Sequence, residues 1–558
     1  MAETDAASAY PAIDPSTFDL IVLGTGLPES ILAAAASSAG KSVLHLDPNP
    51  FYGSHFSSFP LHSFSSFFHS HHPTTSSASE KPPPSSPIDA GEFSVANLKT
   101  RPLYSHIEIS SHSETLDTSS RRFSIDLSGP RVLFCADPVV DLMLKSGASH
   151  HLEFKSVDAS FVYREGKIWP VPDSREGIFK DRSLGLTEKS QLMRFFKLVR
   201  GHLGLVEDGG EERRVSEEDL ESPFVVFLQK QRLPPKIKSM ILYAIAMADY
   251  DQEDPVACKK QIKTKDGMES LALYHSSVGR FPNAPGAFIY PIYGQGELPQ
   301  AFCRCAAVKG ALYVLRMPVT SLLLDKEHGH YKGVRLVSGQ DLFSHQLVMD
   351  PSFIIPQSVS SPSLDMPHEG SYLTEVRNTS SPLMKVARAV CITRGSIQPD
   401  FSNLLVVYPP RSLFPEQVTS VRGVQLSSNV LVCPPDLFVI YLSTLCDNAD
   451  QGKEALQAAM SSLLVLPHES SNHGTPEVNE DIKIETKPDL LWSALYVHDL
   501  TEVLSDTVCL CPMPDGNIDY RDLLKSTTML FHKMYPQEQL FPEAVVSENT
   551  EDDKASID

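Results

Sequence analysis

The sequence predicts an α/β protein whose main domain is a multi-sheet structure of the Rossmann, dinucleotide-binding type, with a small α-helical domain inserted. Three observations carry this expectation. The chain opens on an apolar strand, a glycine turn, a small-residue helix and a second strand between Phe18 and Asp47, the pattern of a βαβ unit. Segments with helical spacing then interrupt the strands, which resume near Gly286. The turn itself, Gly24-Thr25-Gly26-Leu27-Pro28-Glu29, has a glutamate where a nucleotide-binding fingerprint has its third glycine. That glycine lets helix and strand pack closely, with the pyrophosphate resting on the helix N-terminus. A Glu29 carboxylate in the first helical turn suits the helix macrodipole and competes with a phosphate for the same N–H groups. The fold is therefore expected without flavin or any other cofactor.

In order, Phe18 to Leu23 reads as a buried parallel-type strand, Pro28 to Ala39 as a helix, and Ser42 to Asp47 as the second strand. Asp47 stands where an acid would hold a ribose hydroxyl, and an acid there can equally cap a loop. Residues 57–121 turn to Ser, His, Pro and Thr, including Lys81-Pro82-Pro83-Pro84-Ser85-Ser86-Pro87, and are expected to be a polar, largely disordered insert. Its histidines, His62, His69, His71 and His72, lack a rigid frame and are read as solvated rather than metal-binding.

Structure is expected to resume at Phe123 to Leu127. A helix at Val139 to Ser146 and a hairpin at Ser160 to Trp169, turning at Glu165-Gly166, follow. Leu192 to Leu203, Pro223 to Arg232 and Pro235 to Ala248 have helical spacing. Strand character returns at Gly286 to Tyr293. A helix is expected at Pro299 to Val308, with strands at Ala311 to Leu315, Val319 to Leu324 and Gly333 to Leu336. Further strands are expected at Val386 to Thr393, Asn403 to Val407, Val424 to Leu426 and Leu437 to Ser443, then a helix at Tyr520 to Met534.

At 558 residues with 41% apolar content, the chain can bury ordinary cores. Its net charge of −21 excludes nucleic acid as a partner, fits a basic protein partner, and equally serves solubility. The N-terminus has no apolar signal region, and no stretch approaches the roughly 18 apolar residues needed to span a membrane, so a cytosolic chain is expected. Nine cysteines without metal-ligand spacing read as reduced, mostly buried thiols.

No nucleophile elbow, phosphate-binding loop or zinc motif is present, and Pro514-Asp515-Gly516-Asn517 reads as an ordinary turn rather than the second glycine site of a flavoenzyme. The sequence thus points to a binding surface, with no catalytic residue and no metal. The best candidate runs from Tyr293 to Arg304. Pro299 and Glu297 suit a helix start, and Glu297, Gln300 and Arg304 share one polar edge. Leu298, Phe302, Cys305 and Val308 are then left to face the core. An acid and an arginine so placed suit recognition of a protein, and the same edge can be plain solvated helix.

The strings LIVLGTGLPESILAAAASSAGKSVLHLDPNPFYG, SFVYREGKIWPVP and YPIYGQGELPQAFCRCAAVKGALYVL resemble conserved regions of the GDP-dissociation inhibitor and Rab escort protein superfamily. The resemblance covers most of residues 18–56, 123–200 and 235–345, and more loosely 385–445 and 489–540. It implies a discontinuous flavoprotein-like, Rab-binding domain without flavin (18–200 and 286–540) and a helical domain (201–285) for prenyl and transferase contacts. A disordered N-terminus (1–17) and an acidic tail (541–558) flank them. It also implies a platform for GDP-bound Rab GTPases at Tyr52, Glu297, Arg304 and Val314, with Leu312 replacing a threonine of the inhibitor branch.

Within the superfamily, the polar insert, the acidic C-terminus and the Gln-Gly-Glu-Leu-Pro-Gln-Ala-Phe-Cys-Arg-Cys wording favour the escort branch. That branch presents newly made Rab to the Rab geranylgeranyltransferase α/β heterodimer, shelters the geranylgeranyl lipid and touches membranes transiently. Transferase docking would fall on Lys236 to Ala248, with Met240 and Tyr243 as candidates, although the same stripe can be core. The alternatives are an inhibitor that extracts prenylated Rab and, in another class, a flavin-dependent oxidoreductase.

Overall fold

The structure, a computed structural model, describes residues 10–71, 93–172, 184–204, 215–354, 384–467, 487–500 and 508–542. Strand β1 (Thr17–Leu23) is apolar and almost wholly buried, as a central parallel strand must be when both faces are covered. Helix α1 (Leu27–Ser38) follows, and its run of alanines allows close packing along nearly its whole length. It delivers the chain to β2 (Val43–Asp47), which pairs in parallel with β1 from Leu20↔Val43 to Leu23↔Leu46. On the outer side of β2 lies β3 (Leu312–Leu315), also parallel; on the other side of β1 lies β4 (Asp341–Met349), parallel from Thr17↔Phe343 to Leu23↔Met349. Antiparallel strands Tyr331–Leu336, Val319–Asp325 and Phe93–Asn97 complete this path through the sheet.

A second, eight-stranded sheet runs in the order Lys167–Pro170, Ala159–Arg164, Leu404–Tyr408, Val421–Ser427, Leu437–Cys446, Lys385–Arg394, Asp489–Asp499, Tyr104–Ser111. The hairpin between its first two strands turns at Glu165 (φ 52°) and Gly166 (φ 81°), the left-handed pair that a two-residue turn requires. Helix Ala449–Leu463 covers one face of this sheet, and the helical layer covers the other.

The helical layer comprises Leu186–His202, Phe224–Lys230, Pro235–Ser239 with a π-helical turn at Met240–Ile245, and Thr264–Ser277. It begins ahead of the boundary expected at 201, and its core is continuous with that of the second sheet. Val390, Leu405 and Val407 of the sheet belong to the same cluster as Phe227, Ile241 and Leu271 of the helices.

The expectation of a largely disordered insert at 57–121 is corrected for its described parts. Helix α2 (Leu61–His71) carries Phe64 and Phe68 on one face, both at most 1% exposed, in edge contact with Tyr496 and Tyr104 of the second sheet. Trp492 closes on Phe64 at 6.0 Å between ring centres. Two aromatic residues four apart make a helical stripe even in a polar context, and strand Tyr104–Ser111 adds backbone pairing to Asp489–Asp499. His62 and His69 are exposed on α2, whereas His72 and the Lys81 to Pro87 run lie outside the described residues. All nine cysteines are unpaired, and eight are buried.

Truncating a fully buried phenylalanine leaves a cavity that its neighbours cannot close. Phe64→Ala is expected to destabilise the protein by about 3–5 kcal/mol in equilibrium denaturation. A change below about 0.5 kcal/mol would return the segment to the role of a loose insert.

Candidate functional site: the vacated nucleotide turn and the adjoining platform

The fingerprint turn is present and blocked. Gly24 takes a left-handed conformation (φ 96°), and Gly26 opens α1 without a side-chain cap. The Glu29 side chain folds back over this opening, so that a Cβ on Gly26 would lie 2.4 Å from Glu29 Oε2. The carboxyl is 1% exposed, beside the Cys511 thiol. Burial, reinforced by Asp350, pushes it well above the usual carboxylic range. The expectation of a charge complementing the helix dipole is corrected: desolvation outweighs the dipole and favours the neutral acid.

Asp47 is equally committed. It accepts hydrogen bonds from Thr25 Oγ1 (2.6 Å), the Asn49 N–H (2.7 Å) and Ser54 Oγ (3.3 Å). Asp350 faces His55 at 3.3 Å. The remaining cavity, about 200 Å³, is narrowed by Phe67 of α2 and by Leu103 and Tyr104. These residues do not fit a flavin dinucleotide: a phosphate would meet three carboxyl groups, one of them occupying the helix opening.

Beside this turn stands the frame of the platform, organised by Asp126. Its Oδ1 accepts from Ser58 Oγ (2.6 Å) and the Gln295 N–H (2.9 Å), and its Oδ2 from Tyr290 Oη (2.5 Å). Its own N–H donates to Tyr441 Oη of the second sheet at 2.9 Å. Ser58 Oγ also accepts the Gly296 N–H at 2.8 Å. One buried acid therefore fixes the turn that launches α3 (Glu297–Val308) against the loop carrying Tyr52. Burial raises its pKa to about 6, against the lowering effect of its donors.

On α3, Glu297 and Gln300 are half-buried and joined at 3.2 Å, and Arg304 is exposed two turns along, giving the expected polar edge. Burial pushes the Glu297 carboxyl up, while Arg304 pulls it back. Leu298, Phe302 and Cys305 are buried as expected, but Val308 at the last turn is 82% exposed because the core has ended there. Tyr52 is half-buried, with its ring 6.2 Å from that of Tyr313 on β3. The Tyr313 ring packs at a tilt against His45, with ring centres 4.7 Å apart, and lies beside Cys303 of α3, so Tyr313 links Tyr52 to the helix. The sequence reading missed this residue, although the alternation of Leu312-Tyr313-Val314 could have shown it. By the same alternation Val314 packs on the opposite face of the sheet, in register with Leu46. The structure thus unites Tyr52 with α3 and leaves Val314 across the edge strand.

Met240 and Tyr243 do not face solvent. They are 3% and 5% exposed, within the π-helical turn, and Tyr243 Oη accepts the Gln252 N–H at 3.1 Å. Their suggested part in transferase docking is corrected to a core role, since neither side chain is open to a partner in this arrangement. Nor is Pro514 to Asn517 an ordinary turn. The Asp515 carbonyl accepts from the buried guanidinium groups of Arg131 (2.9 Å) and Arg388 (2.8 Å), and its carboxylate pairs with Arg131.

Two outcomes follow from this geometry. Glu29→Gly alone is expected to leave the purified protein colourless after incubation with flavin dinucleotide, because Asp47 remains tied; visible flavin absorbance would contradict the assignment. For Asp126, a folded-state pKa above the unfolded 3.8 means that the folded state holds the extra proton between the two values. Stability from this group is therefore full below the lower value and lost as pH rises through about 6. Between pH 4 and pH 7, wild type should lose about 2 kcal/mol more than Asp126→Asn in urea unfolding, and parallel profiles would refute the shift.

The GDP dissociation inhibitor family matches residues 14–82 and 89–464 of the chain. Rab escort protein 1 of Arabidopsis thaliana is 54% identical over 551 residues, spanning 98% of this chain and 97% of its own length. Rab proteins geranylgeranyltransferase component A of Drosophila melanogaster is 31% identical over 544 residues, spanning 95% and 91%. Among solved structures, the RAB GDI of Plasmodium falciparum aligns with a TM-score of 0.62 at 18% identity, over 94% of this chain and 99% of that one. An oxidoreductase of Methanosarcina mazei aligns at 0.50 and 11% identity, over 92% and 100%. At such identities these structures speak for the fold alone: a Rossmann-type multi-sheet architecture common to Rab GDI and an oxidoreductase. The chain belongs to the GDP dissociation inhibitor family.

Proposed function

We propose that this protein is an escort component of Rab geranylgeranylation: it binds newly made GDP-bound Rab GTPases and presents their C-terminal cysteines to the transferase. The observation that carries this reading is the near full-length likeness to relatives named Rab escort protein and geranylgeranyltransferase component A. The blocked nucleotide turn supports a binding role over flavin chemistry. In this reading Tyr52 is a rigid amphipathic anchor and Arg304 a planar donor fork on the polar edge of α3, with Glu297 and Gln300 completing that edge. Val314 contributes from the sheet edge.

The mechanism is positioning. Holding the folded GTPase leaves its C-terminal cysteines free but confined near the transferase α/β heterodimer, which raises their effective concentration without any catalytic group from this chain. The apolar helical layer is suited to shelter the geranylgeranyl chain afterwards, at roughly 0.8 kcal/mol per buried CH₂. Delivery to a membrane then needs only transient contact, and transferase docking falls on the outer face of the helices rather than on Met240 or Tyr243.

The test is geranylgeranylation of a purified Rab by the transferase with and without this protein. Strong stimulation is expected, with Arg304→Glu losing about tenfold or more of it. Rab–GDP binding without stimulation, coupled to extraction of prenylated Rab from membranes, would assign the inhibitor role instead.

A further inference from the structure

Among the described residues, three large apolar or aromatic side chains stand on left-handed backbone: Met247 (φ 55°), Tyr293 (φ 71°) and Leu431 (φ 58°). That conformation crowds the Cβ of every L-residue and is an outlier for a bulky one. Met247 has a packing reason, since it is buried and its carbonyl accepts from the Arg422 guanidinium. Tyr293 and Leu431 have none: they are 55% and 47% exposed.

These two are also neighbours. The Tyr293 N–H donates to the Val430 carbonyl at 3.0 Å. Ser124 clasps both turns, through its N–H to the Val432 carbonyl at 2.9 Å and its hydroxyl to the Tyr293 carbonyl. Glycine or asparagine would satisfy either turn with less strain, and a polar side chain would suit the water it meets. The chain does use glycine at the next residue, where left-handed backbone and close neighbours both require it. Gly294 (φ 104°) has Ser58 Oγ and Asp126 Oδ1 within 2.8 Å of its would-be Cβ. Strain kept under an exposed apolar side chain marks a position held for contact rather than for folding.

We propose that Tyr293 and Leu431 form an apolar contact that receives an aliphatic or aromatic side chain of the bound GTPase, adjoining its contact with Glu297 and Arg304. This inference rests on the Rab-binding reading above. Continuity places it there: Tyr293 lies one turn before Glu297, and Gly296 shares Ser58 with the segment whose Ser57 hydroxyl donates to the Tyr52 carbonyl at 2.8 Å. The two joined turns thus extend the charged edge of α3 with an exposed tyrosine and leucine, and tyrosine beside arginine is a combination that concentrates binding energy at protein interfaces.

The experiment is titration of the full chain with a GDP-loaded Rab GTPase, for wild type, Leu431→Gly, Leu431→Asn, Tyr293→Asn and Arg304→Glu, beside thermal unfolding of each. Both Leu431 variants and Tyr293→Asn are expected to weaken binding about tenfold, with the melting temperature of each held or raised as strain is released. Unchanged affinity in these variants, with binding lost in Arg304→Glu, would overturn this inference and leave the platform standing. Lowered melting temperatures in both Leu431 variants would assign Leu431 to packing and likewise overturn it. Unchanged affinity in all four would remove the Rab-binding reading together with this contact.

Discussion

Asp126 is a carboxyl group with almost no access to water, and three separate segments depend on it for hydrogen bonding. Ser58 comes from the segment after β2, Tyr290 from the short strand Phe288–Pro291 that follows the last helix of the helical layer, and Gln295 from the turn before α3. Its backbone is in turn held by Tyr441 of the second sheet. A buried acid is costly unless its lone pairs are met, and here each donor has a single geometry that meets them. The two sheets, the return from the helical layer and the start of α3 are consequently set relative to one another at one point. The surface formed by Tyr52, Glu297, Arg304 and Tyr293 inherits its shape from that point.

The same economy explains how a nucleotide-binding scaffold persists with its cofactor turn closed. The parallel strands, the glycine turn and the ribose-type acid at Asp47 are all retained, and the two aspartates beside the turn now have protein partners. Thr25, Asn49 and Ser54 meet Asp47, His55 meets Asp350, and Glu29 fills the helix opening. Aromatic residues of α2 fill space against the second sheet. The scaffold thereby keeps its strand and helix packing, and in the proposed Rab-binding reading the specific contacts lie further out, on the edge strand β3 and the polar side of α3.

Much of this was legible in the sequence because local pattern and global fold agree. The βαβ unit, the hairpin at Glu165-Gly166 and helix α3 follow from apolar periodicity and turn chemistry. Strand β4 escaped: Ser344, His345 and Gln346 interrupt its apolar run, yet its pairing with β1 comes from a partner more than 300 residues away. Helix α2 was hidden by its serines and histidines, since composition outweighed the spacing of Phe64 and Phe68. The π-helical turn is not legible in the sequence either: Met240 to Ile245 are all buried, so a stripe that the sequence leaves open between docking surface and core lies wholly in the core. Along the α3 edge, residue identities point to Glu297 and Arg304 and strand alternation to Tyr313, whereas the strained residues Tyr293 and Leu431 depend on backbone conformation and long-range pairing.

In the proposed reading one surface, spanning the segment after β2, the start of α3 and the turn at Leu431, receives the GTPase. Hydrogen–deuterium exchange of the full chain with and without GDP-loaded Rab tests it most directly. Binding should slow exchange together at residues 48–58, 293–304 and 428–432. Protection confined to the helical layer, with those three segments unchanged, would contradict it.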